Sequence, residues 1–334
     1  MAPHGVRFNT VERPSRRDFL KRIGLTAGAL GGATLLGISR WDKGTQEVQG
    51  PRSERVSRDY RVADTTAADR VDFAVASNTP NQATLVQNAI LALGGMSRFI
   101  AKNDVVVIKP NIGWDRTPLQ AANTNPIVVA EVVRLVLDAG AKRVIVTDAS
   151  CNEPNRCFTR SGIWKAAHDA GAEVVLPAPQ LFRNMRLKGE LLDEWPVLRT
   201  LVEADKLINV PIAKHHNLSR YTGAMKNWYG SLGGRRNRLH QKIDLSIADL
   251  ATFLQPTLTV IDATRVLLRN GPQGGNVDDA ADKHTIVASI DQVAADAFAC
   301  ELIGQSPTEV PYLALGESRG LGTVHWKNLR HKEV

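Results

Sequence analysis

Three cysteines in 334 residues, Cys151, Cys157 and Cys300, are too few for a four-thiolate iron–sulfur site, and no C-x-x-C pair is present. An iron–sulfur cluster held within this chain is therefore not expected. The eight histidines show neither H-x-x-x-H nor H-E-x-x-H spacing. The glycines form no G-K-[ST] phosphate loop, no strand–G-x-G-x-x-G–helix turn and no G-x-S-x-G elbow, which argues against P-loop, Rossmann and α/β-hydrolase chemistry. No apolar run reaches the ~20 residues that span a bilayer comfortably. The nearest approach, Ile23 to Ile38, has 16. Acidic residues are missing altogether from Lys214 to Lys242, a stretch of 29.

What is present begins at the N-terminus. Ser15-Arg16-Arg17-Asp18-Phe19-Leu20-Lys21 stands directly before that apolar run. Paired arginines followed by an apolar segment form the layout of a twin-arginine (Tat) export signal, assigned to residues 1–42. The run is too rich in glycine to make a good helix of a folded domain. The Tat translocase is then a partner, and the destination is periplasmic or otherwise extracytoplasmic. No clean A-x-A site follows, so the signal is either cleaved nearby or kept as an anchor. Residues 43–70 are polar and read as a tether. Residues 71–334 remain, enough for a single large domain or two joined lobes. The formal charge of +8 includes six Lys/Arg against Glu12 and Asp18 within residues 1–38, so the remainder carries +4. That is too mild to indicate nucleic acid, which an exported protein rarely meets.

The body alternates strand and helix. Val105-Val106-Val107-Ile108 reads as a buried parallel strand. Pro126 opens a helix through Ala139, and Arg143 to Asp148 forms the next strand. The phrase Asp138-Ala139-Gly140-Ala141 returns as Asp169-Ala170-Gly171-Ala172 about thirty residues later, each a glycine-capped helix end before a strand. That spacing is one βα unit. Further strands are expected at Lys206–Val210, Leu258–Asp262 and Thr285–Ser289, and helices from Asp244 and over Val293–Ile303. The fold class is α/β, a mainly parallel sheet with helices on both faces.

Ligands bind outside the carboxyl ends of such strands. Polar residues gather there: Lys109-Pro110-Asn111, Asp148, Asn209 leading to Lys214-His215-His216, and Asp262. The acid-free segment adds Lys226-Asn227 and four glycines, Gly223, Gly230, Gly233 and Gly234, which let a backbone approach a ligand closely. Together these suit a small anion such as a phosphate or carboxylate. A solvated basic loop docking on an acidic partner or on the membrane surface is the competing reading. Adjacent His215 and His216 point in opposite directions on an extended chain, so at most one faces a site. No motif identifies a cofactor or a metal. Gly271-Pro272-Gln273-Gly274-Gly275 is either a mobile loop over the site or a surface turn. Cys151 and Cys157 either close a loop as a disulfide or stay free, and Cys300 reads as a buried thiol.

Lys109-Pro110-Asn111, Asp148, Lys214-x-His216, Lys226-Asn227, the Gly230 turn, Asp262, Gly271-Pro272-x-Gly274 and Asp291-x-Val293-Ala294-x-Asp296 occur in that order. As an ordered set they resemble the domain-of-unknown-function family numbered 362, over residues 104–318. The resemblance implies Lys109, Asn111, Lys214, His216, Lys226, Asn227 and Asp262 as site residues. His215 departs from it, since relatives more often carry a small hydroxyl residue there. Some relatives add a ferredoxin-like cysteine module, which suggests redox work; this chain lacks it. The expectation is an exported enzyme of a redox or isomerising step, with Lys109, Asn111, Lys214, Lys226, Asn227 and Gly230 binding an anion. Asp148 or Asp262 then serves as base or metal ligand and His216 as proton carrier. The alternatives are a non-catalytic binding protein and an accessory subunit beside a redox partner.

Overall fold

The computed structural model describes residues 59–62, 70–77 and 79–334. The twin-arginine signal, with Arg16 and Arg17, and most of the 43–70 tether lie outside the described residues.

The strands are β1 (Phe73–Ala76), β2 (Val105–Pro110), β3 (Arg143–Val146), β4 (Glu173–Val174), β5 (Phe182–Arg186), β6 (Glu194–Leu198), β7 (Lys206–Val210), β8 (Ile212–His216), β9 (Arg220–Thr222), β10 (Leu258–Leu267), β11 (Ala280–Ser289) and β12 (His331–Glu333). Strands β5 and β6 form a separate hairpin. The others make one sheet in the order β12-β1-β11-β10-β7-β2-β3-β4, with β8 and β9 branching from β10. From β10 through β7, β2, β3 and β4 every pairing is parallel. On the other side β11 runs antiparallel to both β10 and β1.

Among the described residues eight α-helices accompany the sheet: α1 (Gln82–Ala92), α2 (Pro126–Asp138), α3 (Pro154–Arg160), α4 (Ile163–Asp169), α5 (Ala224–Asn227), α6 (Ile243–Phe253), α7 (Gln292–Glu301) and α8 (Pro311–Ser318). Strand alternation divides them between two cores. Val106, Ile108, Val144 and Ile208 face a core built with α1 to α4. Val107, Ile145, Leu207 and Ile261 face the opposite core, built with α5 to α8. Both faces of the sheet are thus covered, as the near-continuous apolar runs of β2 and β7 require.

The repeated Asp-Ala-Gly-Ala phrase does what its glycines suggest. Gly140 and Gly171 take φ of +98° and +99° just past α2 and α4, a left-handed cap that releases the chain toward the next strand. Helix α2 starts where Asn125 accepts the Ile127 N–H and Pro126 fills the first turn.

Two local differences from the sequence reading bear on the site. Strand β10 does not end at Asp262 but continues to Leu267, because β11 begins earlier than its apolar run and pairs along the whole length. At Pro211 the chain steps from β7 to β8, which takes over the edge of β10 from Ile212 onward. That step carries Lys214 and His216 beyond the carboxyl ends of β2 and β7.

Candidate functional site

A cavity of ≈ 310 Å³ opens beyond β2, β3 and β7. Asn111, Asp148, Lys214, His216, Lys226, Asn227 and Gly230 line it, together with Trp114, Cys151, Tyr229, Arg236, His240 and Pro272. Lys109 and Asp262 do not.

Lys109 is wholly buried behind the wall and forms an ion pair with Asp148 at 2.7 Å. Burial pushes its ammonium down from the usual lysine range, and Asp148 opposes that shift. The second Asp148 oxygen accepts the Ile112 N–H at 2.6 Å. Both oxygens are therefore engaged, and Asp148 secures the β2 and β3 ends to each other. A side chain at Gly230 would place its Cβ 1.9 Å from this carboxylate, so glycine is needed for the pair to pack here. Gly223 is needed likewise, since its Cβ would lie 2.1 Å from Asp296 Oδ1. The glycines of the acid-free segment accommodate protein side chains; of the four, Gly230 alone lines the cavity.

Asp262 lies within β10 with its oxygens taken by the Asn125 N–H at 2.7 Å and by the N–H and hydroxyl of Thr264. It fixes the entry to α2. The strand-end reading placed it at the site because its strand was expected to stop there.

An amide chain forms the floor. Lys214 Nζ donates to Asn111 Oδ1 at 3.0 Å and to the Ala122 carbonyl. Asn111 Nδ2 donates to Asn227 Oδ1 at 3.0 Å, Asn227 Nδ2 to Asn209 Oδ1 at 2.8 Å, and Asn209 Nδ2 to the Ala224 carbonyl at 2.9 Å. The amide orientations follow from this network. Asn227 therefore ties β2, β7 and α5 together, with its polar atoms committed to protein partners.

Lys214 and Lys226 are 1% and 6% exposed. Among the described residues neither pairs with a carboxylate. Burial lowers both to about 7; Cys151 opposes the shift at both, with Asp148 at Lys214 and Asp244 at Lys226, while Lys226 and Lys109 add to it at Lys214 and Arg236 adds to it at Lys226. Lys226 Nζ sits 3.9 Å from the centre of the Tyr229 ring. Arg236 donates to the carbonyls of Ala149, Ser150 and Tyr229, and lies 3.4 Å from Cys151 Sγ.

His216 accepts the N–H groups of Leu218 and Ser219 on Nδ1, so its proton resides on Nε2, the nitrogen left to the cavity. Burial first, then Lys226 and Lys214, push it down to about 2. Its Nε2–H is thus a neutral hydrogen-bond donor. His240 stacks on it with ring centres 6.0 Å apart. His215 faces elsewhere and accepts the Gly271 N–H. The Gly271–Gly275 loop is tied down further by Arg116 to Gln273 and Gln120 to Gly275. Among the described residues no three His, Cys, Asp or Glu side chains gather in a way that could hold a metal ion. All three cysteines are free thiols, Cys151 exposed and the other two buried.

Sequence reasoning did not select Trp114, Cys151, Tyr229 or Arg236 for the site. Arg236 carried a signal, a basic residue two positions after Gly233-Gly234. Trp114 and Tyr229 carried a weaker one, each being an aromatic residue within three positions of a site asparagine.

A family model described as a domain of unknown function (DUF362) matches residues 106–301, and this chain belongs to that family. The thylakoid-associated protein sll1697 of Synechocystis sp. is 25% identical over 244 residues, which cover 69% of this chain and 72% of that one. Two solved structures are also similar. One is a Thermotoga maritima protein (13% identity, TM-score 0.42, covering 69% of this chain) and the other the lactate racemase apoprotein of Thermoanaerobacterium thermosaccharolyticum (14%, 0.40, covering 72%). The matches cover 60% and 59% of those chains.

Proposed function

We propose that this protein binds a small anionic ligand, a carboxylate or phosphate compound, in the cavity beyond β2, β3 and β7, after export by the Tat route. The observation that carries the reading is the pair Lys214 and Lys226, both buried, both lining the cavity and neither matched by a carboxylate. Buried charge without a counter-charge is costly, and a ligand anion supplies the missing partner. Arg236 adds to the field. A bound anion offsets the two lysines, and the His216 Nε2–H donates a hydrogen bond to it while Nδ1 stays with the Leu218 and Ser219 N–H groups. An anion polarised in this way suits an isomerising or a redox step.

The membrane-linked name of the Synechocystis relative supports a working place at or across a membrane. Among the described residues no helix is long and apolar enough to cross one. That relative also favours a second reading, an accessory subunit of an exported redox complex docking through the basic segment.

Isothermal titration of the full chain with phosphate and with oxalate tests the first reading. A charge-assisted hydrogen bond contributes roughly 1.5–3 kcal/mol, so the double variant Lys214→Ala/Lys226→Ala should weaken binding at least ~100-fold. Equal binding by wild type and a folded double variant overturns the anion site. Loss of partner capture with ligand binding intact favours the accessory subunit. Export is tested separately: Arg16→Lys/Arg17→Lys should leave the protein in the cytoplasmic fraction, and unchanged export refutes the Tat assignment.

A further inference from the structure

The cavity treats its two lysines differently. Lys214 is held as a donor by Asn111 Oδ1 and the Ala122 carbonyl. Lys226 makes no hydrogen bond and no ion pair among the described residues, and its Nζ rests on the Tyr229 ring. It is 94% buried, lines the cavity and comes from the short helix α5, whose position is fixed by Asp296 accepting the Ala224 and Met225 N–H groups. An ammonium without acceptors gives up its proton at little cost, and the lone pair it uncovers is not engaged by the protein. Burial and Arg236 push in the same direction, bringing Lys226 to about 7. A desolvated amine beside another cation is the arrangement that activates lysine as a nucleophile.

We propose that Lys226 condenses with the carbonyl carbon of a small oxo acid, whose acid group is held by the charge of Lys214 and Arg236. The inference rests on the anion-site reading and gives it a substrate class. The Nζ lone pair forms a bond to the carbonyl carbon while the C=O π pair moves to oxygen. Both Nζ hydrogens leave with that oxygen as water, and an N=C bond remains. Amine plus carbonyl gives imine plus water, with no oxidant or reductant. His216 donates Nε2–H to the departing oxygen as a hydrogen bond. Once protonated, the imine withdraws electrons from the adjacent C–H bond, which is the activation an isomerising step requires.

The test incubates the full chain with pyruvate, and separately with glyoxylate, in the presence of cyanoborohydride, followed by peptide mass mapping. The expected result is one adduct, equal in mass to the oxo acid less one oxygen atom, on the peptide containing Lys226. Lys226→Arg keeps the positive charge but cannot condense. It should lose the adduct to background in the same peptide map. Mapping on the wild-type protein identifies the site even if the variant misfolds. Pyruvate binding without an adduct overturns the imine and leaves the anion site standing. An adduct spread over surface lysines and unchanged in Lys226→Arg also overturns it. No binding of pyruvate, oxalate or phosphate overturns both.

Discussion

Two regions of this interior treat buried charge in opposite ways. Among helices α5 to α8, carboxylates are met by the chain itself. Asp296 accepts two backbone N–H groups at 2.5 and 2.9 Å. Asp249 accepts three, from residues 190 to 192, and pairs with Arg319 at 2.7 Å. Asp291 accepts those of Val293, Ala294 and Thr323. In the cavity, Lys214 rests on neutral oxygens and Lys226 on an aromatic face. The carboxylates take backbone N–H groups or an arginine from the chain, whereas among the described residues neither lysine pairs with a carboxylate.

The most severe way to break this contrast is to turn a matched site into an unmatched one. Asp148→Ala leaves the buried Lys109 ammonium uncompensated and the Ile112 N–H without an acceptor. It should cost roughly 3–5 kcal/mol, read as a lower urea midpoint. Lys226→Met goes the other way. It removes an unmatched charge at nearly constant volume, so the ligand-free protein should gain roughly 1–3 kcal/mol while losing anion binding. A stability loss in a folded Lys226→Met protein would mean that the lysine already has a structural partner.

The pH dependence sharpens the contrast by a smaller amount. Lys226 and Lys214 have folded values near 7 against 10.5 when unfolded. Between those values the unfolded chain binds more protons, so these groups make stability rise with pH, by at most ~1.4 kcal/mol per pH unit per lysine. Cys157, pushed by burial up to about 11, and the raised Tyr229 act in the opposite sense at higher pH. Urea unfolding from pH 7 to 9 should therefore show a more positive slope for wild type than for Lys226→Met, and bound phosphate should flatten the wild-type slope.

Much of this arrangement could be read in the sequence, for identifiable reasons. The apolar runs of β2, β3 and β7 announce buried parallel strands because no other environment accepts Val and Ile on both faces. Lys109, Asn111 and Lys214 follow those runs by position alone. Asp262 misled because the first half of β11 carries Asp282, Lys283 and His284, polar residues that mask the hairpin extending β10. Asn227 was visible as a site residue, but not the network that commits its amide, because Asn209 and Asn111 reach it from distant strands. Cys151 drew attention through its spacing to Cys157, whereas its neighbour in space is Arg236, 85 residues further on.

The amide chain from Lys214 to Ala224 has a direction. Each amide donates toward the start of α5, and the last acceptor is a backbone carbonyl, which cannot donate in return. Reversing any link would set two donors or two acceptors against each other. The arrow is pinned at its far end, so Lys214 must always present hydrogen to Asn111 whatever its charge. Lys226 has no such tether among the described residues, and the fold thereby makes two similar lysines chemically unequal.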